Sequence, residues 1–232
     1  MRYTSDLNDA EWQLIDYCFP KPSQQGRPRE HAFRELLHAV FYVVKTGCQW
    51  RNVPSDFAPW GTVYHYFRLW KRNGLSVRIH THLREQVRLV AGRQRDPSAA
   101  ILDSQSVQST ENSQERGYDA GKQVNGRKRH ILVDTLGLLL WVMVLPAHLQ
   151  DRDGAQQWLG AFFQQSPPRR VQHLWADGGD TGGLLPWAKH VWRCTVEIVK
   201  RSARHTFKVL PRRWVVERTF GWFGRYRRLN RD

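Results

Sequence analysis

Residues 99–107 read Ala-Ala-Ile-Leu-Asp-Ser-Gln-Ser-Val, a short apolar run that is interrupted by Asp103. We predict a strand there, followed by a polar loop that extends to Arg129. Two β-rich runs come next, His130–Val133 and Leu138–Leu145, and the segment between them suits a hairpin turn. This part of the chain is therefore predicted to form one strand and then a two-stranded hairpin.

The elements predicted after the hairpin alternate between helix and strand. A helix is expected from about Asp153 to Gln164, and strands are expected over Val171–Ala176 and Cys194–Lys200. The last element is a helix from about Arg213 to Leu229. Strands that alternate with helices in this order imply an α/β fold, with a mixed sheet that is covered by helices.

The residues before this region are predicted to be helical. Asn8 and Glu11 have the spacing of a capping box at the start of a first helix. Apolar residues recur every three or four positions from about Glu30 to Thr46, and further helices are expected at about Thr62–Asn73 and Ser76–Ala91.

The helix that begins near Thr62 has a basic face, on which Arg68, Lys71 and Arg72 lie. Short helices with one basic face resemble a helix-turn-helix DNA-binding module, and a plain helical bundle with a solvated basic face fits the same pattern. We expect two domains, a helical DNA-binding domain of helix-turn-helix type over residues 1–95 and an α/β domain over residues 96–232.

The net charge of the chain is +15, and it is unevenly distributed. Residues 1–95 carry 15 Lys and Arg against 8 Asp and Glu, or +7; residues 96–199 carry 10 against 11, or −1; residues 200–232 carry 11 against 2, or +9. A field of this sign attracts polyanions, and nucleic acid is the first candidate. We expect the basic flanks to bind double-stranded DNA and the centre to offer carboxylates for metal ions.

Two aspartates occupy distinctive places in the predicted strands. Asp103 lies inside an apolar run, and Asp177 ends a strand and precedes two glycines. A buried carboxylate is costly to desolvate unless it is paired, so a metal ion or an arginine partner is expected at each. The ends of sheet strands could bring both aspartates together, which favours the metal.

Glu217 lies on a polar stripe of the last predicted helix. At 100° per residue the apolar residues fall on the other side, and Trp222 is among them. A salt bridge is the ordinary role of a lone Glu among arginines, but glycine costs about 1 kcal/mol in a helix. Two glycines on the stripe therefore favour the close approach of a phosphate backbone. The stripe and its flanks contain Arg213, Arg218, Gly221, Gly224, Arg225 and Arg228.

Three carboxylates form a donor set that contains only oxygen. Such ligands suit Mg²⁺ or Mn²⁺ rather than zinc, and the three cysteines include no close pair that could form a CxxC zinc site. Two such ions can stabilise the attacking and leaving oxygens of a phosphoryl transfer. Asp103, Asp177 and Glu217 are therefore the candidate catalytic and metal-binding residues of a DNA nuclease or strand-transfer enzyme.

Four motifs resemble those of the DDE transposases of insertion sequences, in the group named after insertion sequences four and five. They are Asp103-Ser104-Gln105-Ser106-Val107, Gly126-Arg127-Lys128-Arg129-His130-Ile131-Leu132-Val133-Asp134, Ala176-Asp177-Gly178-Gly179 and Pro211-Arg212-Arg213-Trp214-Val215-Val216-Glu217-Arg218-Thr219-Phe220. The resemblance implies an RNase H-like fold, with Asp103 on the first strand, Asp177 after the fourth and Glu217 on a late helix.

The resemblance also implies an activity and its partners. The activity is DNA cleavage and strand transfer at insertion-sequence ends, with Mg²⁺ or Mn²⁺ as the cofactor. The partners are the terminal repeats of the element and target DNA, and we expect a homodimer on the DNA. The basic residues expected to contact DNA are Arg68, Lys71, Arg72, Arg127, Lys128, Arg129, Arg213, Arg218, Arg225 and Arg228.

The family signature is not matched everywhere. Leu210, Gly224 and Asp180 stand where it has a tyrosine, a lysine and a tyrosine. Relatives continue beyond Asp232, so we expect the catalytic domain to be truncated at its C-terminal end. Two alternatives therefore stay open, an inactive DNA-binding remnant of a transposase and a related RNase H-like nuclease that hydrolyses DNA with water only.

Membrane and export signals are not apparent in the sequence. Met1–Glu11 contains no apolar signal segment, and no apolar run approaches the ~20 residues that span a membrane. We therefore expect a cytoplasmic, nucleoid-associated protein with no membrane partner.

Overall fold

A computed structural model gives the architecture of the protein. The chain folds as two compact units, one of Met1–Ala91 with Arg225–Leu229 and one of Gly92–Gly224 with Asn230–Asp232. The helix expected at 153–164 lies outside the described residues, and for Asp177 and Arg213 the description covers the backbone alone. The structure describes residues 2–21, 28–109, 115–149, 170–177, 194–199 and 213–230.

Among the described residues of Met1–Ala91, four helices form the first unit, together with two short 3-10 turns. The helices are α1 (Asp9–Gln13), α2 (Phe33–Thr46), α3 (Trp60–Arg72) and α4 (Leu75–Val90). The capping box of α1 is confirmed, because the Asn8 side chain accepts from the Glu11 amide and the Glu11 side chain accepts from the Asn8 amide.

The ends of α2 follow from its backbone. The helix begins at Phe33 rather than near Glu30, because Ala32 before it is still extended. It ends at Gly47, whose φ of 72° belongs to the left-handed region that glycine adopts at little cost. Leu36, Val63 and Leu75 are almost completely buried in the core that α2, α3 and α4 share.

Six strands form one mixed sheet in the part of the second unit that the structure describes. They are β1 (Ala99–Gln108), β2 (Gly117–Asp119), β3 (Val124–Asp134), β4 (Leu139–Pro146), β5 (His173–Asp177) and β6 (Thr195–Val199). From one edge the order is β4, β3, β1, β5, β6, with β2 paired to the start of β3. Strands β1, β3 and β4 are antiparallel, whereas β5 and β6 run parallel to β1. The sheet is mixed, as the sequence predicted.

The start of β3 differs from the expectation. The polar loop predicted to reach Arg129 was wrong, because β3 already begins at Val124 and pairs with β2 and with the end of β1. Polar residues are held in a strand here by main-chain pairing on both sides. The Asp119 side chain closes the β2–β3 turn by accepting the amides of Gly121 and Lys122.

The two faces of the sheet have separate cores. One face carries Ala100, Leu102, Leu132, Leu174 and Ala176. The other carries Ile101, Ile131 and Trp175, which are covered by a helix, α5 (Arg213–Gly224). We call this second side of the sheet the α5 face.

The predicted last helix is divided in the structure. Helix α5 ends at Gly224, and a short helix, α6 (Arg227–Asn230), follows a bend at residues 225–226. The expectation of one helix from Arg213 to Leu229 was therefore wrong. Glycine is the weakest helix former apart from proline, and Gly224 is where the regular helix stops. Within the described ranges no helix has the length and apolar character to cross a membrane.

Candidate active site

Asp103 and Asp177 occupy equivalent positions on neighbouring parallel strands. Ile101 in β1 is paired with Trp175 in β5, and each aspartate comes two residues later in its strand. Side chains two residues apart point to the same face, and paired strands lie about 4.8 Å apart. Both aspartate positions therefore belong to the α5 face, each two residues beyond the last pair of the β1–β5 ladder.

Asp103 is partly buried near the middle of β1. Its Oδ1 atom accepts a hydrogen bond of 2.8 Å from the Ser104 amide. Its partner in register on β3 is Ile131, which is fully buried under α5. A carboxylate thus interrupts the apolar surface on which α5 packs.

Glu217 lies in α5, exposed to solvent beside the buried Val216. Val215, Val216 and Phe220 pack on the α5 face. All three candidate positions therefore belong to one side of the sheet, two on its strands and one on the helix that covers it.

The turn between β3 and β4 holds α5 in place. Thr219 Oγ1 donates to the Gly137 carbonyl at 2.8 Å, and Arg218 Nη2 donates to the Leu136 carbonyl at 2.7 Å. Gly137 has a φ of 82°, and a Cβ atom there would lie 3.1 Å from both Arg218 Nη2 and Thr219 Oγ1. A side chain at residue 137 would therefore crowd Arg218 and Thr219, and the left-handed backbone there would strain it.

Arg129 adds a cation to the α5 face. It is paired in register with Gln105, and its Nη2 donates to Gln105 Oε1 at 2.8 Å. Its guanidinium carbon lies 5.8 Å from the ring centroid of Phe223 in α5. Because Gln105 is two residues from Asp103 on the same face, the guanidinium lies one step along the strands from that carboxylate.

Lys128 does not have the exposure that a DNA contact requires. Its side chain lies on the opposite face, and the residue is only 5% exposed. Nζ donates to the Leu149 carbonyl at 2.9 Å and lies 3.6 Å from Asp119 Oδ2. The prediction of Lys128 as a DNA-binding residue does not fit this placement, because the expected basic loop is a strand whose side chains alternate between faces.

Asp119 is the partner that explains this placement of Lys128. Burial opposes ionisation of its carboxyl group, but hydrogen bonds from the Ser106 hydroxyl and the Lys122 amide outweigh it, and the Lys128 and Lys122 charges add to them. The pKa of Asp119 is consequently below its ordinary value. This network stabilises the β2–β3 turn.

The other predicted DNA contacts have varied surroundings. Arg127 is half-buried in β3. The predicted contacts that belong to the first unit are exposed, and they lie either on α3 or beyond the end of α5. They are Arg68, Lys71, Arg72, Arg225 and Arg228. Arg228 lies in α6, so it does not continue the stripe of Glu217.

Arg218 takes part in an arrangement that the sequence analysis missed. Its guanidinium carbon lies 4.6 Å from the ring centroid of Trp214 and 4.9 Å from that of Trp222. Trp222 was predicted on the apolar side of the helix, but it is 38% exposed, so that assignment was wrong. The spacing of four residues between Trp214, Arg218 and Trp222 was the available signal.

Family models match both parts of the chain. Residues 94–232, more than half of the chain, match the transposase DDE domain. Residues 7–80 match a model whose description assigns it to transposases of the IS4/5 family, DUF4096.

A curated relative and two solved structures are also similar to the chain. The relative is the insertion element IS402 uncharacterized 16.2 kDa protein of Burkholderia cepacia, 31% identical over 117 residues that cover 48% of this chain and 78% of the relative. The piggyBac transposase synaptic complex with hairpin DNA is 11% identical, with a TM-score of 0.41, over 84% of this chain and 48% of that one. The Mos1 transposase paired-end complex with left transposon end is 12% identical, with a TM-score of 0.28, over 76% of this chain and 61% of that one.

This chain thus spans about half of the piggyBac chain and less than two thirds of the Mos1 chain. The DDE-domain match over more than half of the residues and the IS402 relative carry the assignment. The chain belongs to the DDE-domain transposases of insertion sequences, in the group named after insertion sequences four and five.

Proposed function

We propose that this chain cleaves DNA at the ends of its insertion sequence and joins those ends to a target. Asp103, Asp177 and Glu217 are the proposed catalytic residues. The observation that carries the proposal is the equivalent position of the two aspartates on adjacent parallel strands, on the side of the sheet that the Glu217 helix covers.

The proposed cofactor is Mg²⁺ or Mn²⁺. The chemistry of the donor set supports it, because carboxylate oxygens are the ligands that these hard cations prefer. Among the side chains that the structure describes, no group of three or more His, Cys, Asp and Glu is arranged to hold a metal, and the Asp177 side chain is not among them. When bound, divalent ions supply charge stabilisation to the oxygens of a phosphoryl transfer.

The proposed partner is double-stranded DNA, bound as a homodimer of this chain. The net charge of +15 supports a polyanionic partner. In the first unit Arg68, Lys71 and Arg72 are exposed on one helix, which suits contacts to phosphates at the terminal repeats. On the α5 face Arg129 is suited to hold a phosphate next to the carboxylates, since a guanidinium binds phosphate oxygens in a forked geometry.

The test compares the wild type with Glu217→Gln on DNA that carries the ends of the element, with Mg²⁺ and a target plasmid. We expect the wild type to give nicked and joined products and Glu217→Gln to give neither, because an amide is a poor ligand for Mg²⁺. Equal activity in both proteins would contradict the assignment of Glu217. Cleavage without any joined product would identify a nuclease rather than a transposase.

Glu197→Gln is the matched control. Glu197 is also an exposed carboxylate on the α5 face, where its Oε2 accepts from Trp175 Nε1 at 2.8 Å. A glutamine keeps an oxygen that can accept this bond, so the control removes one negative charge without removing a proposed metal ligand. We expect it to cleave DNA as the wild type does.

A further inference from the structure

Three side chains form a row along α5. Trp214, Arg218 and Trp222 are separated by four residues, so they stack along one stripe of the helix. The guanidinium lies between the two indoles, 4.6 Å and 4.9 Å from their ring centroids. We call these residues the Trp–Arg–Trp row.

The row is held rigidly although it is exposed. Arg218 Nη2 is bound to the Leu136 carbonyl at 2.7 Å, which fixes the guanidinium and, by stacking, the rings on either side of it. Trp214 nevertheless remains 46% exposed and Trp222 38% exposed. Large aromatic surfaces that are immobilised in contact with water are characteristic of binding sites.

The charge of the sequence that contains the row indicates the chemistry of its ligand. Residues 200–232 carry 11 Lys and Arg against 2 Asp and Glu along the chain, and this composition favours an anion over an apolar protein surface. Exposed indoles favour a flat aromatic group. Nucleotides combine both properties, and bases that are not already paired and stacked in a duplex have free faces to offer.

We propose that the Trp–Arg–Trp row is a stacking platform for unpaired nucleotides of DNA. Its place beside the cut rests on the proposed function, because Glu217 directly precedes Arg218 in the same helix. Bases stack against the open faces of Trp214 and Trp222, and Arg218 attracts the phosphate between them. The platform holds the strand by base contacts that do not depend on its sequence.

The experiment measures binding of two single-stranded oligonucleotides of equal length in EDTA, one that contains 2-aminopurine and one with abasic sites at the same positions. We expect the wild type to quench 2-aminopurine fluorescence and to bind the abasic strand on the order of tenfold more weakly. The Trp214→Ala/Trp222→Ala variant should lose this preference. The salt dependence of its binding should not change, because no phosphate contact is removed.

Two controls accompany the variant. Trp214→Phe/Trp222→Phe retains aromatic faces and should keep most of the preference. Tyr118→Ala removes an aromatic residue that is 56% exposed on β2 and should keep all of it.

The proposal is overturned if the wild type binds both strands equally, whatever the variants do. It is also overturned if the double alanine variant retains the preference. Because the assay contains no metal, it is independent of catalysis. Failure of the platform and failure of the cleavage proposal are therefore distinguishable.

Discussion

Lys128 and Arg129 are adjacent in β3, yet their side chains lie on opposite faces of the sheet and have different partners. Lys128 is buried against the Leu149 carbonyl and Asp119, so Lys128→Met should lower the free energy of unfolding by about 1–3 kcal/mol. Arg129 lies on the α5 face beside Gln105, so Arg129→Gln should lower the cleavage rate on the order of 100-fold with a smaller loss of stability.

Thermal unfolding and a DNA-cleavage assay on both variants separate these roles. Each variant serves as the control for the other, because each removes one positive charge from the same strand. If Lys128→Met were stable but inactive, or Arg129→Gln unstable but active, the assignment of the two faces to structure and to function would be wrong.

His38 makes the stability of the first unit depend on pH. Burial lowers the pKa of His38 below its ordinary value of 6.5, although the Asp6 carboxylate opposes the shift. The Leu7 amide donates to Nε2 at 3.1 Å, so the neutral ring is the form that the fold binds. Protonation is therefore easier in the unfolded chain, and this stabilisation is present above about pH 6.5 and lost as the pH falls through the folded pKa.

Urea unfolding of the first unit, measured at about four pH values between about 7.5 and 5, gives the free energy of unfolding as a function of pH. We expect the wild type to lose stability towards pH 5 and His38→Gln, whose side chain can still accept from the Leu7 amide, to lose less. The lowered pKa of Asp6 acts in another window, below its ordinary value of 3.8, and does not interfere. Parallel curves for the two proteins would refute the role of His38.

At the level of elements, α5 contains glycine where the helix itself does not need it. A Cβ atom at Gly221 would have no neighbour within 4 Å, so the helix accommodates alanine. Gly221→Ala should raise the free energy of unfolding by about 1 kcal/mol. If a DNA strand passes close to this turn, which follows Glu217 by one helical turn, the same methyl group should weaken DNA binding.

The thermal stability of Gly221→Ala is therefore expected to rise, whereas its DNA affinity is expected to fall. Gln86→Ala in α4 is a suitable control, because Gln86 is exposed inside a helix of the other unit that contains no proposed DNA contact. Increased stability with unchanged DNA affinity and cleavage would show that nothing approaches Gly221 closely.

The sequence predicts those elements whose signals are local. Apolar runs that contain or precede a carboxylate predicted both ends of β1 and β5 to within two residues, and the periodic apolar residues predicted the end of α2 at Thr46. The start of β3 was not predictable in this way, because the residues from Val124 to Arg129 are polar and become a strand only by pairing with β1, which is a long-range interaction.

The candidate site shows the same division. The residue types and the break in each apolar run identify Asp103 and Asp177, but their equivalent positions depend on the register between β1 and β5. Likewise, helical periodicity assigned Trp222 to the buried side, whereas the guanidinium of Arg218 gives the indole a partner at the surface. Periodicity reflects only the spacing of apolar residues along the helix and contains no information about cation–π pairs.

For the whole molecule, the charge distribution predicts how DNA binding responds to salt. Each phosphate contact releases counterions, so the affinity should fall steeply with salt concentration. Replacing Arg68, Lys71 and Arg72 with glutamine should reduce the slope of log affinity against log salt by about 3 if all three contact phosphates. Filter binding at several salt concentrations measures the slope for wild type and variant.

If the net charge alone caused the salt dependence, any three cations would contribute equally to the slope. A second triple variant distinguishes this long-range attraction from direct phosphate contacts. Arg93, Arg95 and Arg116 are exposed in the second unit and none of them is a proposed contact. Replacing them with glutamine lowers the net charge by the same amount, from +15 to +12. Long-range attraction is screened within about 10 Å at 0.1 M salt, so this variant should keep nearly the whole slope. Equal reductions in both variants would mean that α3 binds DNA only through the overall field, and a slope near zero for the wild type would contradict phosphate binding by this protein altogether.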